Sequence, residues 1–430
     1  MDAVLCRQYV NILHEELVPA LGCTEPIAVA LAGALATRLL GCEPQNLYAA
    51  CSGNIVKNVK GVVVPNSGGQ KGMEIAAILG ALGGDPDRKL EVLSGVRPEH
   101  VERAKELADS GFCRVELLPG SENLHIIMTA RAEEHEAVVE IAESHTNVVR
   151  QEKDGVILAG GPYIPAKRED HRRDFMSVAG ILEFAETSDL AWTRDVLDRQ
   201  IVCNLNISEE GLHGNYGAGV GRTLLVSRGD DVRNRAKARA AAGSDARMSG
   251  CELPVVINSG SGNQGMAVSL PIIEYAREFN LSQEKLYRAL LVSNLIAIHQ
   301  KSGIGKLSAY CGAVSAACGS GAAITWLSGG NFKQITDTIT NTLANVSGIV
   351  CDGAKPSCAA KIASALDAAI MAHDLAMSSH SFSPGEGIVQ QDVEETIRSV
   401  GRLASVGMHA TDEEVLKIMI GADAEQAALK

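Results

Sequence analysis

The stretch Leu307–Phe332, LSAYCGAVSAACGSGAAITWLSGGNF, contains no charged residue. Its length suits a bilayer span, yet Gly, Ser and Ala far outnumber Leu and Ile in it. Small side chains suit a helix that other helices approach closely, so the stretch predicts a buried core helix in a mainly α-helical protein. The whole chain agrees with that reading. Of its 430 residues 46% are hydrophobic but only 3% aromatic, so Ala, Gly, Val, Leu and Ile must fill the interior. A chain so rich in Ala and Gly helices predicts a homodimer.

Charge narrows the partners. A net charge of −13 argues against nucleic acid, which demands clustered Lys and Arg. Arg222 and the run from Arg233 to Arg239 are interleaved with alanine and predict a solvated helix face. The acidic start Met1-Asp2-Ala3 lacks the apolar core of a secretion signal. The expectation is a cytoplasmic protein with no membrane partner.

Outward from the opening stretch, apolar spacing predicts two helices within residues 1–40, parted by Pro19 and the turn 22–26, with Thr24 as a cap. Turns follow at 52–54 and 65–72, the second feeding a helix from Met73. From 88 to 171 the pattern changes. LEVLSG, CRVELL, LHIIMTARA and NVVRQEKDGVILAGG predict strands, with helices at 98–110 and 133–144 between them. The expected architecture is a large helical catalytic domain, residues 1–87 and 172–430, with a small α+β module at 88–171 inserted after the first part.

Eleven cysteines without a CxxC pair do not suggest a disulfide framework or a zinc ribbon. Three stand apart: Cys23 in LGCTEP, Cys311 in SAYCGAV and Cys351 in GIVCDGAKPSC, each in a Gly-containing turn or against a helix end. A thiolate there gains from the helix dipole and free N–H donors. Three gathered thiolates would hold an iron–sulfur cluster or zinc, and spacing alone does not choose. Cys318 and Cys358 sit among alanines and read as core, whereas Cys51 in ACSGN could approach the site through its turn. The segments 62–82 and 254–273 share an Asn-Ser-Gly turn before Gly-Met and an apolar helix. Two such loops facing one site would offer Asn66, Ser67, Ser259, Ser261 and Asn263 to a substrate.

LGCTEPIAVALA, KSGIGKLSAYCGAVSAACGSGAA and GIVCDGAKPSCAAKIASAL resemble the signature segments of the iron–sulfur L-cysteine desulfidase family, which is akin to the α part of bacterial iron–sulfur L-serine dehydratases. The resemblance runs through most of the chain. It implies a [4Fe–4S] cluster on Cys23, Cys311 and Cys351 with one iron open, and β-elimination of L-cysteine to pyruvate, ammonia and sulfide. The dehydratases also carry a cysteine in a Gly-rich loop earlier than these C-terminal segments, where NSGSGNQG has none; G-C-T-E-P supplies that thiolate in the desulfidase pattern. L-serine dehydration at the same site and a non-catalytic amino-acid-sensing homologue are the alternatives, and a zinc site is a third. Within this reading Lys301, ten residues before Cys311, is the expected base, since burial lowers an ammonium pKa. His299 is the alternate base, and Lys355 the expected clamp for the carboxylate of a small amino acid. SHTN at 144–147 is similar to the Ser-His-Thr motif of serine dehydratases, implying substrate contacts from His145, Thr146 and Asn147.

Overall fold

The computed structural model describes residues 1–118, 124–164, 173–305 and 307–421, and the module boundary expected near residue 171 lies outside them. The protein is mainly helical with one mixed sheet. Helix Gly312–Leu327 sits at its centre, packed by Gly262–Glu278, Gln283–Ile304, Phe332–Asn345 and Cys358–Met377. Its small residues are required by that crowding. A Cβ on Gly319 would lie 2.3 Å from the Ser293 carbonyl oxygen, and one on Gly321 3.0 Å from that of Ala369. Two hydroxyls inside the helix bond carbonyls, Ser320 donating to Ala267 O of a neighbouring helix at 2.5 Å and Thr325 to Gly321 O of its own at 3.0 Å. Among the described residues no helix is long and apolar enough to cross a membrane.

The described strands are β1 (Pro19–Leu21), β2 (Asn46–Cys51), β3 (Cys113–Leu117), β4 (His125–Ala132), β5 (His135–Ala142), β6 (Val148–Lys153), β7 (Val156–Gly160) and β8 (Pro254–Val256). Six form one sheet in the order β3-β2-β4-β5-β6-β7, with only the β2–β3 pair parallel. Helix Thr24–Leu40 packs on β4 and β5. The sheet's second strand comes from residues 46–51, ahead of the 88–171 stretch.

Several local expectations change. Residues 133–144 are not a helix: they hold β5, which forms a hairpin with β4 through Glu133 and Glu134, Glu133 at φ 53°. The β-branched Val138, Val139 and Ile141 suit a strand, and the sheet buries them. LEVLSG is no strand, because the 3₁₀ turn Pro86–Glu91 under an Asp85 cap consumes its start. Cys23, not Thr24, is the N-cap of Thr24–Leu40. The basic run lies on Val232–Met248, which is mostly buried rather than solvated. The interleaved alanines are what it buries, and its cations pair with carboxylates: Lys237 with Asp367, and Arg239 with Glu209 at 2.7 Å and Glu274 at 2.8 Å.

Candidate functional site

Four helices begin at the wall of one cavity: Thr24–Leu40, Gly262–Glu278, Gly312–Leu327 and Cys358–Met377. Their N-cap residues are Cys23, Ser261, Cys311 and Ser357, and no side-chain hydrogen bond closes any of the four caps. The first backbone N–H groups of each helix have no partner within the helix. Converging there, they and the helix dipoles favour negative charge in the cavity.

Two short pairings bring the cysteines to this wall. β1 pairs antiparallel with β8, which sets the 22–26 turn against the 258–263 turn. Thr24 Oγ1 then donates to Gly260 O at 2.9 Å, and Arg247 Nε to Gly22 O at 2.9 Å. Gly22 holds φ 59° with Pro65 beneath it, where a Cβ would come within 2.2 Å of the ring. On the other side Tyr310 and Val350 form an antiparallel bridge. Cys311 N donates to Ile349 O at 2.9 Å and Cys351 N to Ala309 O at 2.6 Å, so the two cysteines flank the bridge. Cys23, Cys311, Cys351 and Cys358 all line the cavity, together with Lys301.

The thiols divide one proton unequally. Cys351 is drawn down to about 6 by the hydrogen bond from Cys311, then by Lys57, the Gly353 N–H and Lys301. Cys311, which gives that hydrogen bond and is partly buried, is pushed well above the ordinary thiol range. Burial and the Glu25 carboxylate, which accepts from Cys23 Sγ at 2.9 Å, push Cys23 up as well. Burial also opposes charge on Glu25. The adjacent His145, with Nε2 3.9 Å from Oε1, the Cys23 thiol and Arg247 outweigh it and hold the carboxyl at about 2. Lys301 is 4% exposed, and its ammonium has no hydrogen bond or ion pair among the described residues. Burial draws its ammonium down to about 8, against the upward pull of Cys351 and Cys311.

Sulfur donors of this kind suit iron–sulfur centres and zinc. Among the described residues no three His, Cys, Asp or Glu side chains gather closely enough for a single metal ion. Cysteines are also the lining's donors of the kind an iron–sulfur cluster takes, each ligand binding its own iron. The anion-favouring helix ends and two buried cations, Lys301 and Arg247, fit the negative charge of thiolate ligands.

Of the residues singled out by sequence, Cys23, Cys311, Cys351, Lys301, Ser261 and Asn263 line the cavity. Cys358, read as core, lines it too, because it is the first residue of its helix rather than a turn inside it. The others lie elsewhere. His299 Nε2 bonds Glu394 Oε2 at 2.7 Å, toward helix Val393–Arg402. Lys355 turns back on its own loop, bonding Asp352 O at 2.9 Å and pairing with the Asp352 carboxylate. Asn66 and Ser67 bond Leu93 O at 2.8 Å and Gln70 O at 3.0 Å, so their loop supports the Cys23 turn from outside instead of facing the second loop. Ser259 donates to Asn258 Oδ1 at 2.9 Å. SHTN closes a strand, not a helix. Thr146 and Asn147 are exposed, with Asn147 Nδ2 bonding Ala142 O at 3.0 Å, and only His145 reaches inward, to Glu25. Cys51 and Cys318 are buried away from the wall.

Sequence reasoning missed Glu25, Asn58, Arg247, Gln264 and Tyr310 on the lining. Glu25 and Gln264 were within reach, being the polar residues of G-C-T-E-P and NSGSGNQG. Arg247 gave no signal, since only the tertiary packing of its helix turns it inward.

Residues 87–417 match the family model described as serine dehydratase alpha chain. The chain is 54% identical over 414 residues to a UPF0597 protein of Lachnoclostridium phytofermentans, covering 96% of this chain and 99% of that protein. It is 48% identical to a UPF0597 protein of Treponema denticola, over 98% of this chain and 99% of the relative. With a UPF0597 protein of Desulfitobacterium hafniense the identity is 49%, over 96% of each chain. The chain belongs to the serine dehydratase alpha chain family, and that membership supports a lyase activity of the dehydratase type.

Proposed function

We propose that this member of the serine dehydratase alpha chain family eliminates sulfide from L-cysteine at an iron–sulfur cluster held by Cys23, Cys311 and Cys351. The observation that carries the reading is the meeting of three cysteines from distant parts of the chain, with the unpaired Lys301, on one cavity wall. The cluster, when bound, supplies a Lewis-acidic iron for the leaving group.

The chain's own residues supply the rest. The hydrogen bond from Cys311 and the nearby lysines favour the thiolate of Cys351, and the helix N-termini on the cavity wall favour the same charge. Lys301, with its pKa drawn down to about 8, is partly neutral at physiological pH and accepts the Cα proton. Its burial keeps bulk water from competing for that proton. The Cα–H electron pair forms the new double bond while the Cβ–S bond breaks toward sulfide. The resulting aminoacrylate tautomerises and takes up water to give pyruvate and ammonia.

The family description favours a second reading, L-serine dehydration, in which hydroxide leaves instead. G-C-T-E-P, with its Cys23 on the cavity wall, supports L-cysteine. Anaerobically reconstituted protein separates them when sulfide release from L-cysteine is compared with pyruvate formation from L-serine. Higher kcat/KM for L-cysteine is the expected result. Preference for L-serine would transfer the assignment to the dehydratase, and a reconstituted protein that produces pyruvate from neither would overturn the lyase reading.

A further inference from the structure

Arg247 is 2% exposed and lies on the cavity wall. Its Nε donates to Gly22 O at 2.9 Å, and a Cβ on Gly262 would stand 2.5 Å from that same nitrogen. The guanidinium is therefore wedged between the Cys23 turn and the start of helix Gly262–Glu278, and only glycine fits at 262. Among the described residues the Arg247 side chain makes no other hydrogen bond and no ion pair. Its two terminal nitrogens remain as donors without an acceptor. Glu25 on the same lining is a charged neighbour that accepts no hydrogen bond from Arg247, and the planar fork of Arg matches a further carboxylate through two parallel bonds.

The opposite requirement stands beside it. Gln264 is 5% exposed, and its Oε1 has no donor; Asn263 Oδ1 has none either. Both belong to the first turn of Gly262–Glu278 and line the cavity. The Gln264 amide is packed over Gly312, where a Cβ would meet its Cδ at 2.5 Å, so it is held in place. Buried acceptors left empty are costly, so this side of the cavity calls for a donor.

We propose that Arg247 anchors the α-carboxylate of the ligand while Asn263 and Gln264 receive its α-ammonium, so that the cavity selects free α-amino acids. This assignment rests on the lyase reading above and gives to Arg247 the role expected of Lys355. A peptide or ester, lacking the free carboxylate, would leave the guanidinium unmatched.

Calorimetric titration of anaerobically purified full-length protein tests it with L-alanine, which has no leaving group, and with propionate, which lacks the ammonium. L-Alanine is expected to bind more tightly than propionate. Arg247→Gln should weaken L-alanine roughly 10- to 100-fold, whereas Lys355→Met, off the cavity wall, should leave its binding unchanged. Gln264→Leu should weaken L-alanine but not propionate. Unchanged L-alanine affinity in folded Arg247→Gln, or loss of binding in Lys355→Met instead, would overturn the anchor while leaving the lyase reading in place. Wild-type protein that binds no L-alanine would take both down. Should Arg247→Gln fail to fold, Gln264→Leu decides, because equal weakening of L-alanine and propionate contradicts the ammonium assignment.

Discussion

Lys301 carries the clearest pH signature of the cavity. A base works deprotonated, so an ammonium drawn down to about 8 makes kcat/KM climb as pH rises toward about 8 and level off above it. Lys301→Met should lower kcat roughly 10²- to 10⁴-fold while the visible thiolate-to-iron absorption stays; an unchanged rate would remove Lys301 from the chemistry. Glu25 gives a stability signature of the opposite sense. Its carboxyl is near 4.5 when unfolded and held at about 2 in the fold, so its stabilisation is complete above the higher value and disappears as pH falls through the lower one. That linkage is worth about 3 kcal/mol at neutral pH. In urea unfolding, the gap between wild type and Glu25→Gln should therefore narrow markedly from pH 7 to pH 3. A gap independent of pH would show that Glu25 is not held as an anion.

Close helix approach makes a prediction at the scale of the element. Gly319→Ala places a methyl 2.3 Å from the Ser293 carbonyl and should cost about 1–3 kcal/mol, read as a lowered denaturation midpoint. Gly95→Ala, with nothing within 4 Å, should change stability by less than about 0.5 kcal/mol. Equal effects would contradict the packing of helix Gly312–Leu327. Elements also show where sequence reading succeeds. The charge-free stretch 307–332 announced its helix because only small residues tolerate such crowding, and glycine turns ahead of Cys23 and Cys311 marked where helices begin. β5 was not legible: acids bound its apolar run, and burial of nearly the whole strand removes the alternation that distinguishes strand from helix. Helix Val232–Met248 misled for a related reason, since carboxylates on neighbouring helices, absent from the local sequence, neutralise its cations. Lys355 and Lys301 likewise look alike in sequence; only the fold leaves one paired with Asp352 and the other alone on the cavity wall.

At the scale of the whole molecule, the cavity joins segments far apart in the chain. Cys23 belongs to the helix packed on the sheet, while Cys311 and Cys351 belong to the central helical layer. A group bound by all three would tie these parts together, and a group that binds only the folded chain raises its stability by mass action. Anaerobic protein carrying iron should melt above the same protein after chelation, and Cys23→Ala should erase that difference. Identical melting curves before and after chelation would place the iron outside the fold's core.

The central claim, that Cys23, Cys311 and Cys351 hold one iron–sulfur cluster, is tested most directly by the iron and acid-labile sulfide content of anaerobically reconstituted protein. The account predicts roughly four of each per chain in wild type and in Cys318→Ala, whose sulfur is buried away from the cavity, and marked loss in Cys23→Ala, Cys311→Ala and Cys351→Ala. Full iron and sulfide in any of those last three variants would contradict it.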